Sequence, residues 1–370
     1  MKITRIETIP VRVPIHARLA IRGKGGMHAV SPFLLVKVHT SEGICGLGEV
    51  SATPRWSWED QVTAAHFIES IFAPLLVGQD PSEVETLSAR TRAALFGNTF
   101  TKAAIEMALW DIAGKAAGVP VCRLLGGPVR ARIPIKWSIS GVDPVRASEI
   151  AAWALEKGFR TMKVKVGIDA EQDIARVRAV RDVVGAEVRL GVDANGAWDV
   201  PTAIRMIRAL GEFEIYFAEQ PVAPGDPERM AEVRRSVDIP VLADESVCSV
   251  DDAAMLIRAS AASAFSIYVG KSAGIGPART IAATAAAAGR PCTVGSNLEL
   301  GVATAAMIHL AAATHGIDAE QFPCDIIGPL FYTEEILREP LRIADGHADL
   351  PQGIGLGVEL DDDAVLRFRV

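Results

Sequence analysis

No stretch of this 370-residue chain is apolar for long enough to cross a bilayer, which demands roughly 18 to 20 consecutive residues. The longest alanine-rich run, Ile281 to Gly289, is far shorter and reads as a buried helix. The opening MKITRIETIPVRV alternates apolar and polar like a strand, unlike a signal peptide. Paired cysteines are also missing. Cys45, Cys122, Cys248, Cys292 and Cys324 lie far apart, which excludes the usual zinc and redox spacings and suits reduced thiols in a cytoplasmic protein. Positive charge is in deficit, with a net charge of −7 and no dense basic patch. That argues against nucleic acid as a partner, while a few local cations still suffice to bind a carboxylate.

What is present is apolar and periodic. Hydrophobic residues make up 49% and charged residues 22% of the chain, enough for a large core and a length suited to a barrel with a smaller companion. The first part reads as three strands, Ile3 to Val13, Phe33 to His39 and Gly46 to Val50, with a tight turn at Ser41-Glu42-Gly43. Helical spacing follows over about Trp58–Leu76, Ser82–Leu95 and Thr101–Ala117, the last ended by Gly118 and Pro120. Strands with helices segregated from them make an α+β domain.

From Ile133 the pattern changes to short apolar strands alternating with amphipathic helices. The strands expected are Ile133–Ile139, Thr161–Val166, Val188–Asp193, Ile215–Glu219, Pro240–Ala243, Ala264–Val269, Cys292–Gly295 and a short one near Phe322–Ile326. Helices such as Ala147–Lys157, Ala170–Val184 and Pro201–Leu210 fill the gaps. Such βα repeats suit a parallel barrel, although the span to Leu341 is short enough that one helix is expected to be missing or truncated. A doubly wound open sheet is the alternative, disfavoured because no glycine-rich phosphate turn follows the first strand.

Three acids close three successive strands: Asp193 in GVDAN, Glu219 in FAEQP and Asp244 in LADES. Neighbouring barrel strands would bring these carboxylates together on the catalytic face. Left uncompensated they would repel one another, so an oxygen-bound Mg²⁺, or Mn²⁺ as a substitute, is expected among them. Each acid alone could instead merely cap the next helix. On the preceding strand Lys163 and Lys165 stand two apart and share a face. Mutual repulsion is expected to lower one lysine pKa and make it a base. Lys271, in YVGKSAGIGP, is expected at a later strand end, approaching from the opposite side of the mouth. A cation beside a carboxylate and a lysine beside its α-carbon are what enolate formation requires.

The chain resembles the enolase superfamily and, within it, the muconate-lactonizing (muconate cycloisomerase) subgroup. The motifs that carry the resemblance are GNTFTKAAIEMALWDIAGK, RLLGG, KVKVG, GVDAN, EQP, ADES, Lys271 and GPLFYTEEI. It implies an α/β fold, a modified TIM-type (β/α) barrel over 126–342. An N-terminal α+β capping domain over 1–125 would be completed by the C-terminal segment 343–370. It also implies metal ligands at Asp193, Glu219 and Asp244, acid/base lysines at Lys165 and Lys271, and Lys163 tuning Lys165 and touching the substrate carboxylate. Asp325 falls where relatives carry a glutamate that assists the enolate, and Asn195 and Glu245 would support the ligands. In the capping loops Arg22, Lys24 and His28 are candidates to hold a second carboxylate, and Trp56 and Trp58 to wall an apolar pocket. Asn297 and Glu299 are further substrate-binding candidates. None of the seven histidines lies at Ser296–Glu299, where some dehydratases and racemases of the superfamily carry one. The activity expected is a metal-dependent, muconate-type cycloisomerisation of a small carboxylate by a homo-oligomer with no nucleic-acid or membrane partner. Epimerisation, racemisation or dehydration of an amino-acid-like acid is the alternative, and a non-catalytic binding protein a further one.

Overall fold

The computed structural model describes every residue except Ala20, Lys24 and Gly25, and the side chains of 21–23, 26–28 and 55 lie outside the description. The chain begins with a three-stranded antiparallel sheet of β1 (Ile3–Pro14), β2 (Val30–Thr40) and β3 (Cys45–Ser51), with β2 in the middle. The main helices that follow are α1 (Gln61–Phe67), which continues through a π turn into Ala73–Leu76, α2 (Val84–Ala94) and α3 (Thr99–Ala117). α1 starts later than its periodicity suggests, because Trp58 takes a left-handed conformation (φ 59°) and Asp60 closes a capping box with Thr63. The buried α3 lies so close to β3 that a Cβ on Gly48 would collide with the Ala104 backbone. Leu34, Val36, Ile68, Phe72, Leu87 and Ile105 fill the core between sheet and helices.

Seven parallel strands then run in sequential order: β4 (Trp137–Ile139), β5 (Thr161–Lys165), β6 (Arg189–Asp193), β7 (Ile215–Glu219), β8 (Val241–Ala243), β9 (Ala264–Ile267) and β10 (Cys292–Val294). Each is followed by a helix: α4 (Pro144–Glu156), α5 (Ala170–Val184), α6 (Val200–Leu210), α7 (Pro227–Ser236), α8 (Val250–Arg258), α9 (Ile275–Ala287) and α10 (Gly301–Ala313). No regular strand forms near Phe322–Ile326. Instead Cys324 bridges Ile135, and the Asp325 N–H donates to the Val294 carbonyl at 2.7 Å, so an irregular segment closes the barrel. A short 3₁₀ turn, Gly328–Phe331, stands where an eighth helix would be, which accounts for the missing length. The strand expected over Ile133–Ile139 is split, because Arg132–Pro134 pairs antiparallel with His347–Asp349, while Ile135 and Trp137–Ile139 join the barrel. The chain ends in α11 (Asp362–Phe368), after which Arg369 and Val370 meet β1 at Val11 and Pro10. The fold is thus a modified (β/α) barrel with an N-terminal α+β cap completed by the C-terminal segment. Among the described residues no helix is long and apolar enough to cross a membrane.

Candidate active site

Parity along the parallel strands decides which side chains enter the barrel. Low in the interior Phe217, Leu242, Ala264 and Phe322 form an apolar floor. Above it the strand ends supply charge. Asp193 and Glu219 end β6 and β7 and pair in register, with Lys165 directly beside Asp193 on β5. Asp244 follows β8 by one residue. None of these acids is a helix cap. The helices behind them are capped by Asp199, Asp226 and Ser249, which leaves the three barrel carboxylates free of any capping duty.

All three are buried, and lysines hold them. The Lys163 ammonium donates to Glu219 Oε1 at 2.8 Å and Asp325 Oδ2 at 2.9 Å, and lies 3.3 Å from Asp193 Oδ2. Lys165 donates to Asp193 Oδ2 at 2.6 Å and Asn195 Oδ1 at 2.8 Å. Lys271 donates to Asp244 Oδ1 and to the Asp244 carbonyl, each at 2.6 Å, and to the Ser266 carbonyl at 2.9 Å. Lys136, which the sequence did not single out, lies 3.2 Å from Asp325 and donates to the Pro323 carbonyl at 2.6 Å. It is the first inward residue before β4, and counting strand parity back from Ser138 would have found it.

These neighbours set the electrostatics. Burial pushes the Glu219 carboxyl up to about 8, and the nearby Asp193 and Asp244 add to that despite Lys163. Burial also raises Asp193, but the Lys165 and Lys163 ammoniums outweigh it and hold this acid down to about 2. Burial lifts Glu245 to about 7. For Lys163 burial works against the ammonium, yet Asp325, Glu219 and Asp193 prevail and raise its pKa well above the ordinary value. At Lys163 this reverses the lowering expected from lysine–lysine repulsion, since the carboxylates around it outweigh the neighbouring ammoniums of Lys165 and Lys136. Lys163 is also buried beneath the mouth and held by acids.

Other expectations change with the geometry. Lys271 is not at a strand end; it lies four residues past Ile267, in the turn before α9, and reaches back under the mouth. The residue that occupies the inward position after β9 is Tyr268, missed by sequence reading although it stands two residues from the inward Ser266. Its hydroxyl donates to Asp244 Oδ2 at 2.8 Å, and the Lys271 ammonium lies 4.2 Å from its ring centroid. Trp56 of the cap stacks on this ring (5.3 Å, 16°) and donates its indole N–H to Glu245 Oε1 at 3.1 Å. Asn195 donates to the same oxygen at 2.8 Å. Trp58 is not brought to the pocket; its left-handed backbone turns it outward and leaves it 86% exposed. Asn297 donates to the Ser51 carbonyl at 2.8 Å and to Thr53 Oγ1 at 3.1 Å, joining the β10 loop to the cap. Glu299 accepts from Ser296 Oγ and the Asn297 N–H, so it shapes its own loop. The side chains of Arg22 and His28, and the whole of Lys24, lie outside the described residues.

The donor set fits a divalent cation in its chemistry. Five buried carboxylates, Asp193, Glu219, Asp244, Glu245 and Asp325, face the four ammoniums of Lys136, Lys163, Lys165 and Lys271. Glu219 Oε2, Glu245 Oε2 and Asp325 Oδ1 are buried without a hydrogen-bond partner, an arrangement a hard cation would satisfy. Among the described residues no three acidic, histidine or cysteine side chains are preset around one point.

Fold and site together define a capped (β/α) barrel with an acid–lysine cluster at its C-terminal face. Residues 4–126 match the mandelate racemase / muconate lactonizing enzyme N-terminal domain, and residues 146–364 the enolase C-terminal domain-like model. The chain is 37% identical over 341 residues to muconate cycloisomerase 1 of Rhodococcus opacus, covering 90% of each protein. It is 32% identical over 376 residues to the N-succinyl-L-Arg/Lys racemase of Bacillus cereus, covering 100% of this chain and 98% of that protein. The crystal structure of 2-chloromuconate cycloisomerase from Rhodococcus opacus superposes with a TM-score of 0.96 at 34% identity, over the whole of both chains. The chain belongs to the mandelate racemase / muconate lactonizing enzyme family of the enolase superfamily and is an enzyme of that family.

Proposed function

We propose that this enzyme is a Mg²⁺-dependent, enolate-forming isomerase of the muconate cycloisomerase type, reversibly lactonising a dicarboxylic acid. The observation that carries the reading is the unequal placement of its lysines. The Lys165 side chain is 20% exposed, and its ammonium meets two side-chain acceptors. The Lys271 side chain is 3% exposed, and its ammonium meets three acceptors. A cycloisomerisation needs one proton transfer, and one accessible lysine supplies it.

Asp193, Glu219 and Asp244 would hold the cation, which when bound supplies positive charge to a substrate carboxylate and its developing enolate. Lys165 takes or delivers the proton at the α-carbon, oriented by Asp193 and Asn195. Lys163 and Lys136 neutralise Asp325, and Lys271 neutralises Asp244. The cap loops around Trp56, Arg22, Lys24 and His28, with Asn297 and Glu299 across the mouth, would read the distal part of the substrate and exclude water. The same proposal divides the chain into a cap over 1–125 with 343–370 and a barrel over 126–342.

The test is turnover of cis,cis-muconate and of a panel of N-acyl amino acids, read for lactone, epimer and keto acid. Chelation should abolish activity and Mg²⁺ restore it. Glu219→Gln should lose most Mg²⁺ binding by calorimetry while its circular dichroism stays native. Full turnover in a chelated preparation, or epimer as the dominant product, refutes the assignment.

A further inference from the structure

β5 and β9 lie on opposite sides of the barrel. One way round, β6, β7 and β8 separate them; the other way, β10, the closing segment at Cys324 and β4 do. The inward residue at the end of β5 is Lys165, and the inward residue just past β9 is Tyr268. A group that moved a proton on the face opposite Lys165 would have to project from the end of β9, and the Tyr268 ring stands there.

That ring is held from several sides. The Trp56 indole stacks on it, its hydroxyl donates to Asp244, and the Lys271 ammonium sits against its π face. Gly295, just past the end of β10, leaves the space into which it leans, since a Cβ there would run into the ring and into Ser266 Oγ. Lys271, the nearest amine, has three acceptors for its three N–H groups, two of them main-chain carbonyls of Asp244 and Ser266. It is saturated and covered.

We propose that Tyr268 walls off the face of the site opposite Lys165, so that proton transfer takes place on the Lys165 face alone. The inference rests on the enolate-forming reading above and deepens it. Tyr268 is a specificity-determining residue that acts by occupying space, and Lys271 is a positioning residue that fixes Asp244.

Two measurements on the Mg²⁺-loaded enzyme test this. In D₂O, with cis,cis-muconate and both enantiomers of N-succinyl-lysine as probes, deuterium should enter from one face only. Any N-succinyl-lysine that exchanges should do so as one enantiomer, with inversion at least tenfold slower than exchange. Tyr268→Phe, which keeps the ring, should preserve that one-sidedness. Interconversion of the enantiomers as fast as exchange overturns the proposal, as does a folded Tyr268→Phe enzyme that no longer exchanges, which would make the hydroxyl a reacting group. The second measurement needs no substrate. Reductive methylation followed by peptide mass spectrometry should modify Lys165 at least tenfold faster than Lys271, and Tyr268→Ala should narrow that gap. Equal labelling of the two lysines in the native enzyme overturns the wall. If no probe turns over, the functional assignment fails while the labelling still decides the role of Tyr268.

Discussion

Two residues of one strand, Lys163 and Lys165, share a face yet do different work, because a strand advances about 3.3 Å per residue and two residues change the depth by nearly 7 Å. Lys163 lies among Asp193, Glu219 and Asp325, where removing it strands buried negative charge. Lys163→Ala should therefore destabilise the fold by roughly 3–5 kcal/mol, the usual cost of breaking a buried ion pair, as read from urea unfolding. Lys165 lies at the mouth, and Lys165→Ala, which leaves Asp193 still beside Lys163, should cost less stability than Lys163→Ala. Its rate should fall on the order of 10² to 10⁴-fold, the typical worth of a general acid or base. Lys271→Ala should impair turnover less. Steady-state kinetics of the three variants would show the order, and a Lys271→Ala defect equal to that of Lys165→Ala would contradict it.

At the scale of elements, the barrel helices divide by how they begin. α4 to α8 carry their own caps at Asp143, Asp169, Asp199, Asp226 and Ser249. α9 and α10 begin at Gly274 and Leu300, which offer no capping side chain. Their free N–H groups are taken instead by carboxylates of the capping domain. Glu106 on α3 accepts from Ile275 and Gly276, each at 2.8 Å, and Glu49 on β3 accepts from Leu300 at 2.7 Å and Ala303 at 3.0 Å. The cap thereby fixes the two helices that follow Lys271 and Asn297. Glu106→Ala should cost about 2 kcal/mol, the upper range for a lost cap. Thermal unfolding would measure it, and a change within ~0.3 kcal/mol, the ordinary scatter of surface substitutions, would show the cap to be idle.

Across the whole molecule those two carboxylates make the joint between cap and barrel sensitive to pH. Burial pushes Glu49 up to about 8, with Glu299 and Glu335 nearby adding to it, and Glu106 up to about 7, with Glu85 adding to it. Both keep a proton in the folded protein that the unfolded chain releases near the ordinary carboxylate value. Their stabilising contribution is complete below about 4.5 and is lost as pH rises through 7 to 8. Stability should therefore fall more steeply between pH 5 and 8 in the parent enzyme than in a Glu49→Ala/Glu106→Ala double variant. Urea midpoints at several pH values give both slopes, and parallel slopes would remove these acids from the account.

The local sequence determined the parts that depend on period and turn chemistry. The alternating β1, the βα repeats from residue 133 and the acids closing β6 to β8 follow from patterns within a few residues, since strand parity and helical spacing are local properties. The missing eighth helix was legible as missing length. Only the tertiary structure decided what those patterns meet. It split Ile133–Ile139, because His347–Asp349 arrives from more than 200 residues away to claim its first half. It raised the Lys163 pKa, because acids from β6, β7 and the closing segment surround it. It turned Trp58 outward through that residue's left-handed backbone and seated Trp56 against Tyr268 and Glu245. It also put Tyr268 in the position expected of Lys271: strand parity turns Tyr268 inward, and barrel closure, which no local pattern encodes, sets that position across the mouth from Lys165.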